Sequence, residues 1–133
     1  ASVEAVRGVP LLKAQWKDEG IFLHTAINVG IAVAMDDGLI VPVIKHAQDL
    51  NLLGVARAVN DLATRARNKQ LKPDEVRDGT FTITNGGTFG SLFSTPIVNP
   101  PQSAILGMHT SKERAIVDNG QIIAAPMMYV ALT

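Results

Sequence analysis

Apolar residues along this chain follow two spacings. Leu52, Val55, Val59, Leu62 and Ala66 recur every three or four positions, while Arg57, Asp61, Arg65 and Arg67 fall mostly elsewhere. That period predicts a helix capped by Asn51 and ending near Lys69 and Gln70. Residues 2–9 read as the last turns of another helix, stopped by Gly8 and Pro10, and Pro73–Val76 as a single helical turn. Elsewhere the apolar positions alternate or run continuously, which predicts strands. Residues 15–20 form a short strand and turn, returned by 21–24. Residues 27–35 are a long run rich in Val and Ile, turned by Asp36, Asp37 and Gly38 into a strand at 39–44. Pro42 has no N–H to give a ladder, so it belongs at an edge or bulge. Further strands are expected at 80–84, at 104–109, at 115–123 folded on Asp118, Asn119 and Gly120, and at 127–133. Strands outnumber helices in mixed order, so the expected architecture is an α/β sandwich, a mostly β layer covered on one face by helices.

The segment 80–91 combines the most signals. Thr80 to Thr84 alternates with period two, then breaks into Asn85, Gly86 and Gly87, with Gly90 following. A strand thus delivers a hydroxyl and an amide to a bend whose glycines permit positive φ and close approach of another group. The same letters also describe a purely structural hairpin or bulge turn.

Composition narrows the chemistry. Twelve basic and twelve acidic residues cancel, leaving no basic field to hold nucleic acid or an anionic membrane. No apolar run approaches the roughly 20 residues of a bilayer-crossing helix, so no membrane partner is expected. The first residues lack a basic head and apolar run, so no targeting segment is read there. The absence of cysteine excludes disulfides, a thiol nucleophile and thiolate metal sites, and fits a reducing compartment. His24, His46 and His109 show no metal-ligand spacing, so no metal is expected. His24 and His46 read as surface or packing residues, and His109, at a strand end, as a candidate ligand contact. The glycine bend lacks the Lys-Ser/Thr of a P-loop and the spacing of dinucleotide folds, and no G-x-S-x-G elbow is present. Asp36 and Asp37 read as a solvated turn, and Met127 and Met128 as core. Thr84 and Asn85 remain the best polar candidates, since a hydroxyl at a rigid strand end can donate to a developing oxyanion.

The bend and the run from Ser94 through Asn99-Pro100-Pro101-Gln102-Ser103-Ala104-Ile105-Leu106-Gly107-Met108-His109 closely resemble the catalytic domain of the dihydrolipoamide acyltransferases, the E2 cores of 2-oxo acid dehydrogenase complexes. Asn28 to Val33, Gly38 to Ile44 and the closing Met127 to Thr133 carry the resemblance across nearly the whole chain. The Asn-Gly-Gly bend and the Asn99–109 run have the wording of the succinyltransferase, while 24–44 reads more like acetyl and branched-chain members. The resemblance implies a chloramphenicol-acetyltransferase-like fold, a homotrimer as building block of a cubic or icosahedral assembly, and an active site in a channel between subunits. Coenzyme A, as co-substrate, enters from one side and the dihydrolipoyl arm from the other. Residue by residue, it implies Thr84 as the oxyanion hydroxyl, Asn85 and the main chain at Gly86 on the coenzyme A side, and His109 near that pocket. The family's histidine base lies in a Tyr-Asp-His-Arg segment after the final strand, a position none of the three histidines here occupies. The chain is therefore expected to be a partial catalytic domain over 1–133, inactive alone. Lipoyl and peripheral-subunit-binding domains, which carry the lipoamide and contact the E1 and E3 components, are expected to be absent. A non-catalytic scaffold of the E2 core is the alternative. The implied location is bacterial or archaeal cytoplasm, or the mitochondrial matrix.

Overall fold

The computed structural model describes residues 1–133. From the N-terminus the elements are α1 (Ser2–Gly8), β1 (Ala14–Lys17), β2 (Gly20–Leu23), β3 (Val29–Ile31), β4 (Val33–Met35), β5 (Gly38–Ile40) and β6 (Val43–Ile44). They continue with α2 (Leu52–Arg67), β7 (Phe81–Asn85), β8 (Ile105–Met108), β9 (Lys112–Asp118), β10 (Gln121–Met127) and β11 (Val130–Leu132). A five-stranded mixed sheet of order β11-β8-β7-β3-β6 forms the centre, with β7 parallel to both β3 and β8 and the two edge pairings antiparallel. Three two-stranded ribbons, β1–β2, β4–β5 and β9–β10, extend from it.

Side chains alternate across a strand, so each central strand has two distinct faces. Val29 and Ile31, Phe81 and Ile83, Ile44 and Leu106 meet Val6 of α1 and Leu62, Ala58 and Val59 of α2 in one apolar core. Both α-helices therefore cover one face, as the periodicities predict. The opposite face of β7 carries Thr82 and Thr84, in register with Ile105 and Gly107 of β8. This is the expected α/β sandwich with a mixed sheet.

Three local expectations change. The apolar run 27–35 is two strands, because the chain leaves the sheet after β3. Ala32 N–H still donates to the Ile83 carbonyl and Ile31 N–H to that of Pro42, after which β4 pairs only with β5. Pro42 sits at the matching break between β5 and the edge strand β6, as a residue without an N–H must. The last hairpin is longer than expected, with seven residues in each of β9 and β10. Asn119 and Gly120, at φ 48° and 79°, close it as a two-residue turn of the positive-φ kind that suits strand twist. Met127 and Met128 are not core residues: they are 40% and 37% exposed, at the end of a free ribbon and before an edge strand. Helix α2 leaves its first residue, Leu52, 87% exposed and is buried chiefly at Leu62 and Ala66.

Candidate active site

Three threonines point the same way from the strand carrying β7, at increasing distance from its buried start. Thr80 and Thr82 are buried. The Thr80 hydroxyl accepts from the Asn28 N–H at 3.0 Å, and that of Thr82 donates to Gln102 Oε1 at 2.6 Å. Thr84 is half-buried, its hydroxyl makes no hydrogen bond within the chain, and it lies on a cleft wall. Its cross-strand neighbour is Gly107, where a Cβ would come within 3.0 Å of Pro96 Cγ. The missing side chain lets the proline-punctuated loop pack down beside Thr84 and form the far wall.

Two clefts meet at Thr84. One, of about 450 Å³, runs between the sheet face, the β4–β5 ribbon and the loop containing Pro96, Ile97 and Asn99. The other, of about 440 Å³, runs between the same ribbon, the end of α2 and the glycine bend. Ala32, Leu39 and Thr84 line both. The first cleft has no ionisable side chain on its walls, and the second has one, Arg67. A donor in such apolar surroundings interacts strongly with developing charge and needs no rearrangement to do so. Neither cleft contains a group that accepts a proton near neutral pH.

The bend is built tightly. Asn85 Oδ1 accepts from Gly87 N–H at 2.9 Å and caps the one-turn helix Gly86–Phe89. This leaves the Asn85 side chain exposed beside the second cleft, whereas Gly86 lines the first. A Cβ on Gly87 would lie 2.5 Å from the carbonyl carbon of His109, so only glycine allows the bend to rest on the end of β8. Gly90 takes the left-handed conformation at φ 78° and closes the turn.

His109 stands apart from Thr84, Asn85 and Gly86. It is 1% exposed and lines neither cleft. Its Nε2 faces the Ser94 N–H at 2.8 Å, and its Nδ1 faces the Tyr129 carbonyl at 2.9 Å. An amide only donates and a carbonyl only accepts, so these partners assign the neutral tautomer with the proton on Nδ1. Phe93 stacks on the ring at 5.6 Å. With both nitrogens engaged, His109 offers none to a ligand in this conformation and instead ties the start of the loop wall to the approach to β11. His46 is exposed, and His24 lies after β2 with its Nε2 buried and unpartnered. Burial, followed by the charge of Lys17, pushes the His24 pKa below its usual value. Sequence reasoning overlooked the loop as a wall and Arg67 as its neighbour. The proline spacing was a signal for the first; for the second only the packing of the ribbon against α2 was decisive.

A mixed sheet with helices on one face and a cleft on the other defines the class. Chloramphenicol acetyltransferase shares this fold, with a TM-score of 0.53 at 15% identity over 97% of this chain and 62% of that one. The family follows from the sequence. The family described as 2-oxoacid dehydrogenases acyltransferase (catalytic domain) matches residues 1–133, and the chain belongs to it. The dihydrolipoyllysine-residue succinyltransferase component of the 2-oxoglutarate dehydrogenase complex of Azotobacter vinelandii is 46% identical over 133 residues, which are 100% of this chain and 33% of the relative. The cubic core of a pyruvate dehydrogenase multienzyme complex superposes with a TM-score of 0.93 at 30% identity, over 98% of this chain and 55% of that one. The chain thus spans about a third of the curated relative and just over half of the solved core chain.

Proposed function

We propose that these residues form part of the acyltransferase core of a 2-oxoglutarate dehydrogenase complex, moving a succinyl group between dihydrolipoamide and coenzyme A. The observation that carries this reading is the unengaged Thr84 hydroxyl where two clefts meet. Two thiol substrates approaching from opposite sides suit that arrangement, and 46% identity to a succinyltransferase component favours the succinyl group. In the reaction, a base removes the proton from one thiol. The thiolate attacks the thioester carbonyl, and Thr84 donates a hydrogen bond to the resulting oxyanion. Collapse then expels the other thiolate, to which the base passes the proton it took from the attacking thiol. Asn85 holds the bend and lines the second cleft, the coenzyme side, while Gly86 lines the first.

Neither cleft supplies the base. The proton acceptor in this proposal comes from outside residues 1–133, on the Tyr-Asp-His-Arg segment of the family. Assembly into a trimer and a larger core would complete the channel. Purified 1–133 is expected to show no succinyl transfer, and the full-length protein to prefer succinyl- over acetyl-coenzyme A. Turnover by 1–133 that disappears in Thr84→Ala would contradict the placement of the base. Preference for acetyl-coenzyme A would contradict the substrate.

A further inference from the structure

The β1–β2 hairpin shares no ladder with any other strand, so side chains alone hold it in place. Lys13 Nζ donates to the Thr25 carbonyl at 3.0 Å across its base, and Ser103 Oγ donates to the Ala14 carbonyl. One face of the hairpin carries Gln15, which is buried, and its cross-strand partner Phe22. His24 follows β2 and meets the Phe22 ring edge-on at 4.9 Å, and Lys17 lies over the same ring at 4.5 Å. The Nε2 atom of His24 is buried and has no hydrogen-bond partner. That atom separates the two protonation states of the ring. A neutral imidazole can leave Nε2 without a proton, whereas an imidazolium carries N–H on both nitrogens and would bury a donor that faces no acceptor. The charges around the ring act in the same direction. Lys17 on β1 and Lys13 in the turn before it oppose a positive ring. Asp78, before β7, favours one, but Lys45 already binds its carboxylate at 3.2 Å.

We propose that His24 is a proton-operated latch: the neutral ring seats the β1–β2 hairpin, and uptake of one proton from solvent releases it. Release takes Nε2 to water, where its N–H finds an acceptor, and moves the ring away from Lys13. It also uncovers Gln15. The hairpin carries three exposed apolar residues, Trp16, Ile21 and Phe22. Proton concentration therefore controls how this surface is presented, independently of any chemistry at Thr84. The opening is local, because the hairpin can leave without breaking a strand pairing of the central sheet.

The test reads the opening of the hairpin by the reactivity of a buried thiol in full-length protein. The thiol is introduced by Q15C, with and without H24Q, and its alkylation by iodoacetamide is followed by mass spectrometry of the peptide carrying residue 15. Both backgrounds are compared at each pH, so the pH dependence of the thiolate itself cancels. The ratio of rates, with His24 over with H24Q, is expected to rise by more than about twofold between pH 7.5 and 5.5. Its ceiling is about tenfold, set by one proton taken up a unit below the ordinary histidine pKa of about 6.5. A ratio that changes by less than about twofold overturns the latch. A thiol introduced by V6C, in the core beneath the helices, reports unfolding of the whole domain. Residue 15 is expected to react more than about twofold faster than residue 6. Rates closer than that mean that the hairpin opens only with the domain, which also overturns the latch. Should H24Q fail to fold, K17Q replaces it, since Lys17 is exposed and opposes the imidazolium. The acid rise in Q15C reactivity is then expected to be steeper with Lys17 than with K17Q, and equal rises overturn the proposal.

Discussion

A threonine hydroxyl already hydrogen-bonded inside a protein is poorly placed to serve a ligand, which separates Thr80 and Thr82 from Thr84. Replacing Thr82 by Val leaves the buried Gln102 Oε1 without its donor and is expected to lower unfolding free energy by about 1–3 kcal/mol. Thr84→Val breaks no internal bond and is expected to stay within about 0.5 kcal/mol of the parent. Chemical denaturation of both variants checks the contrast; equal losses would mean that Thr84 too is structural. Gly87→Ala must displace the His109 backbone and is expected to cost about 1–3 kcal/mol by the same measurement. His24 adds a pH dependence. Its folded pKa is lowered, so below about 6.5 the unfolded chain binds more protons and stability falls with decreasing pH. His24→Gln should flatten that part of the stability profile. Thr84 was legible from alternation because direction and strand end are both local properties. The partners of His109 were not, since Ser94 and Tyr129 lie 15 and 20 residues away and meet it only through the fold.

At the scale of elements, one ion pair fixes how the chain enters β7. Arg65 reaches from α2 to both carboxylate oxygens of Glu75 at 2.7 Å, and Glu75 also accepts from Lys72 N–H, holding the turn Pro73–Val76 against the helix. Arg65, followed by the Lys72 N–H, lowers the Glu75 pKa from the usual 4.5 to about 2, while the guanidinium is held protonated beyond its ordinary range. A depressed carboxylate pKa stabilises the fold above the unfolded value. That contribution is lost as pH falls from about 4.5 towards 2. Both side chains are partly solvated, so solvent screens the pair and its contribution is small. Acid titration of Glu75→Gln should show a shallower decline in that window than the parent; identical curves would remove the pair from the account. Helix α2 and its Asn51 cap were legible because capping and a 3.6-residue period are encoded over a few positions. The division of 27–35 into β3 and β4 was not. Continuous apolar letters report burial, whereas the exit from the sheet depends on bonds to Ile83 and Pro42 far along the chain.

Across the whole molecule, the core lies beneath α1 and α2 while the ribbons and the outer edge remain open. Trp16, Ile97 and Leu132 are 79%, 90% and 61% exposed, and Ile21, Phe22 and Val130 are also exposed. Apolar surface of this kind favours association at roughly 25 cal/mol per Å² covered. Sedimentation of 1–133 should therefore show concentration-dependent self-association that high salt does not reverse, whereas a monomer at all concentrations would argue against assembly through these strands. The overall α/β sandwich was legible from the spacing of elements. The meeting of two clefts was not, because it joins a ribbon, a loop, a helix end and a bend separated in sequence. The central claim is that Thr84 stabilises the oxyanion of acyl transfer. Its most direct test is the kcat of succinyl transfer by full-length protein, compared with Thr84→Val and Thr84→Ser. The account predicts a loss of about 10²–10³ in Thr84→Val with KM little changed, and substantial recovery in Thr84→Ser. A Thr84→Val enzyme that turns over at the parental rate would contradict it.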